Sequence, residues 1–327
     1  MESPCIGSKI AEDTLASEGR AARDDGSRTI IWCVPRSVST ALTKCLSFIE
    51  GIQVWFEPYT YCRITQVTIK QQLDLDVPAE YEGNEEIYKR MADHFKETGQ
   101  GNTTTPENLS YASIVRFLEQ SVSRHVLVKD MSFALSPEQY KFLPKGFKHI
   151  FLIRHPLKVF NSLRKSIFGQ LSALGMLKGE SAVEETFDVG RDNPFRNAGD
   201  GSMYKDVYDM WKYVNENLDA ESIVVDSDDL LSNPAEILPK ICRAAGLPYD
   251  ESLLKWDGSS EVTKSWMVPA DDIVERMVYF YEIAIKSSKF LPASNMPSRD
   301  DVRPDVIRCT DQAMKYYDEM YEVRIKV

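Results

Sequence analysis

Four short segments put cations, hydroxyls and a carboxylate where the chain turns from a strand into the next element. The first is Pro35-Arg36-Ser37-Val38-Ser39-Thr40-Ala41-Leu42, which follows directly on the apolar, β-branched run Thr29–Val34. A strand that feeds a tight loop and then a helix makes an anion site, because the first N–H groups of the helix lack intrahelical partners and its dipole adds partial positive charge. Arg36 can grip an anion's oxygens bidentately, with Ser39, Thr40 and the amides of Ser37, Val38 and Ala41 as further donors. The same residues also read as an ordinary helix cap, with Ser37 or Ser39 capping and Arg36 in solvent.

The second segment runs Phe151-Leu152-Ile153-Arg154-His155-Pro156 and on to Ser162. A cation at the end of a strand and a hydroxyl eight residues later on the following helix can face one phosphate. The third, Trp55-Phe56-Glu57-Pro58-Tyr59, ends another strand in a carboxylate that Pro58 would aim. Its apolar neighbours could raise the pKa of Glu57 towards the range of a general base. Alternatively Glu57 bonds loop amides or pairs with Arg63. Lys129, in Val128-Lys129-Asp130, ends the next strand and either stabilises transferring charge or pairs with Asp130.

The elements that must position these groups alternate. Strands are expected at Thr29–Val34, Ile52–Phe56, Val126–Lys129, His149–Ile153 and Ile223–Val225. Helices are expected at Ser39–Phe48, Glu85–His94 and Leu109–Glu119, from Pro156, and over Pro234–Ala245 with Gly246 as its stop. Apolar strands alternating with helices predict an α/β three-layer sandwich around a mostly parallel sheet. Residues 1–27, rich in Ser, Gly, Ala and charge, read as a disordered tail, and residues 28–327 as a single domain. Residues 168–203 lack a clean period and read as a long loop or lid. The Val278–Tyr281 stretch and Tyr316, Tyr317 and Tyr321 have helical spacing and read as core. His94, His125 and His149 read as surface or strand-edge residues, and Asp301–Asp311 as a solvated face.

Composition narrows the classes. With 327 residues and 43% hydrophobic content the chain can bury a large core. A net charge of −11 argues against nucleic acid as a partner and confines any phosphate site to a local basic pocket. No apolar run approaches the roughly 20 residues of a membrane span, so no membrane partner is expected. The first residues lack an apolar leader core, which suggests a cytoplasmic protein. The six cysteines are scattered without zinc spacing, so free thiols and no metal are expected. In that setting the sequons at Asn102 and Asn108 are coincidental.

Taken in chain order, the motifs resemble those of sulfotransferases that use 3′-phosphoadenosine 5′-phosphosulfate (PAPS). Pro35-Arg36-Ser37-Val38-Ser39-Thr40 resembles the family's 5′-phosphosulfate loop, and Arg154-His155-Pro156 with Ser162 resembles its 3′-phosphate motif. Asp226-Ser227-Asp228-Asp229-Leu230, with Pro234 and Ala245-Gly246-Leu247, is similar to a third family segment. Thr263-Lys264-Ser265-Trp266 is similar to one that closes over the nucleotide. The resemblance implies a fold like that of P-loop NTPases and a donor site that includes Lys264 and Trp266. It also implies metal-independent, in-line transfer of a sulfuryl group, with Glu57 as base and Arg36 and Lys129 supporting the charge.

Three departures stand out. Ser132 occupies the place of the family's histidine base, His155 replaces the usual Asp, and the final Arg-Lys-Gly signature is absent. The expected acceptor is a small molecule with a hydroxyl or amine, and a homodimer is compatible with the sequence. Two rivals remain. A kinase-like phosphotransferase would need the GxxxxGK(S/T) loop, which is missing; Lys44 lies a helical turn too far in and reads as a surface lysine. A non-catalytic nucleotide-binding scaffold would need the loss of Arg36 or of the base.

Overall fold

The computed structural model describes residues 26–98, 104–194, 201–270, 274 and 277–327. Its elements run β1 (Ser27–Cys33), α1 (Ser39–Leu46), β2 (Ile52–Phe56), α2 (Pro58–Leu73), α3 (Glu85–Glu97), α4 (Tyr111–Gln120), β3 (His125–Met131) and β4 (Lys148–Ile153). There follow α5 (Pro156–Ala173), α6 (Ser202–Asn217), β5 (Ile223–Asp226), α7 (Ser227–Ser232), α8 (Pro234–Ala245), α9 (Val278–Ile285) and α10 (Pro304–Glu322). The expected strands are all present within a residue or two.

The five strands form one parallel sheet in the order β2-β3-β1-β4-β5. Along β1 the side chains alternate. Ile30 and Trp32 enter the core beneath α2, α4, α5, α6 and α10, while Ile31 and Cys33 enter the one beneath α1, α8 and α9. Both faces are covered, which is why the strands read as continuously apolar. The sheet's edges are covered as well. Met267 N–H donates to Val54 O at 2.7 Å beside β2, and Ile325 N–H to Val224 O at 2.9 Å beside β5.

β1 and β3 are neighbours, and the connections that follow them, to β2 and to β4, leave in opposite directions. That switch point opens a crevice at the carboxyl ends of the strands, where open α/β sheets bind ligands. The loop after β1 lies in it.

Several expectations need correction. α1 stops at Leu46, short of Phe48. Helix α2 follows Pro58 directly, where only a turn was expected, because proline suits the first turn of a helix. The expected tail falls on residues outside those described up to residue 25, and Ser27 already pairs with His125 in the sheet.

The 168–203 segment is not a lid over the crevice as far as it is described. α5 runs on to Ala173, and Phe187 and Val189 are buried in the core. Arg164 donates to the Phe187 carbonyl at 2.8 Å, and Asp305 at the start of α10 accepts from Val189 N–H at 2.8 Å. His125 and His149 are buried rather than exposed. The Nδ1 of His149 accepts from the Trp32 indole at 3.0 Å, and burial pushes its pKa down to about 4.

Candidate active site

The loop between β1 and α1 is held in a shape that exposes the helix's first amides. Arg36 and Val38 both have left-handed backbone, at φ 62° and 68°, which costs a non-glycine residue on the order of 1–3 kcal/mol. For the β-branched Val38 the conformation is rare. No side chain caps α1: Val38 holds the cap position and offers no acceptor. The expected caps act elsewhere. Ser37 is fully buried with its hydroxyl on Val34 O at 2.7 Å, and Ser39 lies on the cavity wall. Ser227 braces the loop from beneath, its hydroxyl within hydrogen-bonding distance of the carbonyls of Ser37 (2.6 Å) and Ile153 (2.7 Å).

Above the loop lies a cavity of about 380 Å³, large enough for a nucleotide-sized ligand. Arg36, Val38, Ser39, Thr40 and Ala41 contribute to its wall, together with Lys129, Arg154 and Ser162. Three segments far apart in the chain are thus brought together. Arg36 Nε donates to Ser162 Oγ at 3.0 Å, and Arg154 Nη1 to the Arg36 carbonyl at 3.1 Å. Burial, and after it the Arg154 charge, lower the Arg36 pKa below the ordinary guanidinium value. Positive charge is therefore under-compensated here, and an anion would relieve it.

The structure adds residues that sequence reasoning missed. Asp228 pairs with Arg154 at 3.3 Å and with Lys158 at 2.8 Å, fixing both cations at the mouth of α5. The Tyr204 hydroxyl donates to the Arg154 carbonyl at 2.5 Å. His155 caps α5 as an aspartate there would, its Nδ1 accepting from Leu157 N–H at 3.2 Å.

The far wall is α9 and the extended segment after it, through Phe280, Tyr281, Ala284, Leu291 and Ser294. The Phe280 carbonyl accepts from Arg36 Nη1 at 2.7 Å. Lys44, expected on the surface, is fully buried; its ammonium donates to the carbonyls of Ile285 and of Ser287, the latter at 2.8 Å. Of the 278–281 run expected as core, Tyr281 is buried while Val278 and Tyr279 are exposed, so the helix is buried on one face only. Nothing in its spacing showed that the burial was against the loop after β1.

Glu57, the residue after β2, and Lys129, near the end of the adjacent β3, form a buried ion pair, with side chains 6% and 0% exposed. The expected Lys129–Asp130 pairing does not form, because neighbouring residues of a strand point to opposite faces. Asp130 instead accepts from the amides of Tyr59 (2.7 Å) and Thr60 (3.0 Å) at the start of α2. Glu57 has left-handed backbone at φ 57°, and its second oxygen accepts from the Tyr281 hydroxyl at 2.7 Å. Burial works against the charge on Lys129, yet the Glu57 carboxylate outweighs it and holds the ammonium's pKa above the ordinary lysine value.

Lys264 and Trp266 are not brought to the cavity. Lys264 pairs with Glu261 at 2.6 Å, while Trp266 is fully buried and stacks on Phe56 with ring centroids 4.7 Å apart. Their segment supplies the edge contact to β2, which explains its strand-like ending at Met267.

One comparison with known proteins bears on the later motifs, from Asp226 onward. Residues 216–323, less than half of the chain, match the family model described as a sulfotransferase domain. No curated protein matches the chain. Two solved structures are similar. One is the sulfotransferase domain from the curacin biosynthetic pathway, at 15% identity over 88% of this chain and 98% of that one, with a TM-score of 0.41. The other is the sulfotransferase domain from the Synechococcus PCC 7002 olefin synthase, at 19% identity over 90% of this chain and 98% of that one, with a TM-score of 0.40.

Proposed function

We propose that the protein is a sulfotransferase that moves a sulfuryl group from PAPS to a hydroxyl or amine of a small molecule met in the cytoplasm. The observation that carries this reading is the convergence of Arg36, Arg154 and Ser162 with the uncapped start of α1 on one cavity. The sulfotransferase match over residues 216–323 supports the group transferred.

In this reading Arg154 and Ser162 hold the 3′-phosphate, while Arg36 and the first amides of α1 hold the 5′-phosphosulfate. Sulfuryl transfer builds charge on the leaving phosphate, and donors fixed before reaction stabilise that charge without reorganising. Lys129 adds an ammonium on the same wall and supports the sulfuryl oxygens. The acceptor enters from the side of Lys129 and attacks in line, its proton ending on Glu57. The network binds, orients and takes the proton through its own side chains.

Calorimetry with adenosine 3′,5′-bisphosphate, 5′-AMP and Mg-ATP tests the reading. Binding that requires the 3′-phosphate is expected. Preference for Mg-ATP would point to phosphoryl transfer, and no binding to a scaffold that has lost the donor.

A further inference from the structure

Glu57 is walled off from the cavity that the proposed reaction uses. One of its oxygens accepts from the Lys129 ammonium and the other from the Tyr281 hydroxyl at 2.7 Å. Lys129 and Tyr281 line the cavity, whereas Glu57 stands behind them. A proton leaving an acceptor must therefore pass through one of these two groups to reach the carboxylate. An ammonium has donors and no lone pair, so Lys129 cannot take it. A phenol has a single proton, and that of Tyr281 is committed to Glu57. What it offers any other partner is an accepting oxygen.

Resting on the sulfuryl-transfer reading above, we infer that Tyr281 is a catalytic residue that relays the acceptor's proton to Glu57. The acceptor's O–H bond breaks, and its proton moves to the Tyr281 hydroxyl oxygen as the Tyr281 proton moves to the Glu57 oxygen it already faces. The acceptor oxygen bonds to sulfur while the bond from sulfur to the bridging phosphate oxygen breaks. That electron pair leaves on adenosine 3′,5′-bisphosphate, and protonated Glu57 returns its proton to solvent by the same route. Burial, with the Glu57 charge behind it, raises the Tyr281 pKa well above the ordinary phenol value. The two proton movements are accordingly concerted, with no free tyrosinate.

Tyr281→Phe tests the relay, since phenylalanine keeps the edge-on contact with Phe56, at 5.2 Å between centroids. The probes are simple alcohols, water (read as sulfate release from PAPS) and 4-nitrophenolate, which has no proton to lose. Loss of general-base help should cost alcohols and water at least ~10²-fold and leave 4-nitrophenolate within about threefold of wild type. Adenosine 3′,5′-bisphosphate should bind the variant unchanged.

Equal losses for all acceptors, or none, would overturn the relay. So would a wild-type protein that binds the nucleotide but transfers to none of the probes. A wild-type protein that fails to bind it would instead overturn the donor reading. Should the variant not fold, rates of the wild type in H2O–D2O mixtures decide. A relay puts two protons in flight and gives a curved dependence on deuterium content, and a straight line would refute it.

Discussion

The guanidinium of Arg154 donates to the backbone carbonyl of Arg36 at 3.1 Å, so the end of β4 helps shape the loop that follows β1. The two arginines are 118 positions apart, and each is the leading cation of its own motif. Their closeness brings the two halves of the candidate donor site side by side.

Replacing Arg36 removes the cation nearest the uncapped helix start. Arg36→Ala should lower sulfuryl transfer from PAPS at least ~10²-fold, the scale seen when a fixed transition-state donor is lost. Rates measured with saturating PAPS check this, and near-wild-type turnover would take Arg36 out of the chemistry.

The 3′-phosphate half is read by affinity rather than rate. Arg154→Ala combined with Ser162→Ala should weaken adenosine 3′,5′-bisphosphate by roughly 3–6 kcal/mol, given about 1.5–3 for each hydrogen bond to the charged phosphate. Affinity for 5′-AMP should change far less. Calorimetry that finds equal losses for both nucleotides would mean the variant has damaged the loop and not a 3′-phosphate contact.

Lys44 ties the wall formed by α9 to α1. In Lys44→Met the Ile285 carbonyl loses its buried donor, at about 1–3 kcal/mol for a buried group left unpaired, while the Ser287 carbonyl keeps the Trp256 indole N–H at 2.7 Å. Limited proteolysis should then cut around residues 278–294 faster than in wild type. An unchanged cleavage pattern would show that packing alone holds the segment.

His149 gives the fold an acid-side weakness. Its folded-state pKa of about 4 lies below the ordinary 6.5, so the neutral ring is the native form. The resulting stability is complete above about pH 6.5 and is lost as pH falls towards 4, by on the order of 3 kcal/mol for a shift of that size. Urea unfolding of wild type and His149→Gln from pH 7 to 4 checks it. The wild type should lose more stability than the variant over that window, and parallel curves would contradict the assignment.

The strands and the site motifs were legible in the sequence because their signals are local. A run such as Thr-Ile-Ile-Trp-Cys-Val can be buried on both faces only inside a covered sheet, and Arg36 and Arg154 each stand within two residues of the end of such a run. What stood beside them was not legible. Lys129 points to Glu57 rather than to its chain neighbour Asp130, since that choice depends on which strands are adjacent. Trp266 and Tyr281 are both aromatic and both buried, yet one seals the edge of β2 while the other closes on Glu57. The chain order of residues determines which groups end strands and begin helices. Only the packing of α9 across the carboxyl edge of the sheet decides which carbonyl Arg36 meets, which lysine is buried and which hydroxyl meets Glu57. Those contacts join residues more than two hundred positions apart, and no spacing along the chain encodes them.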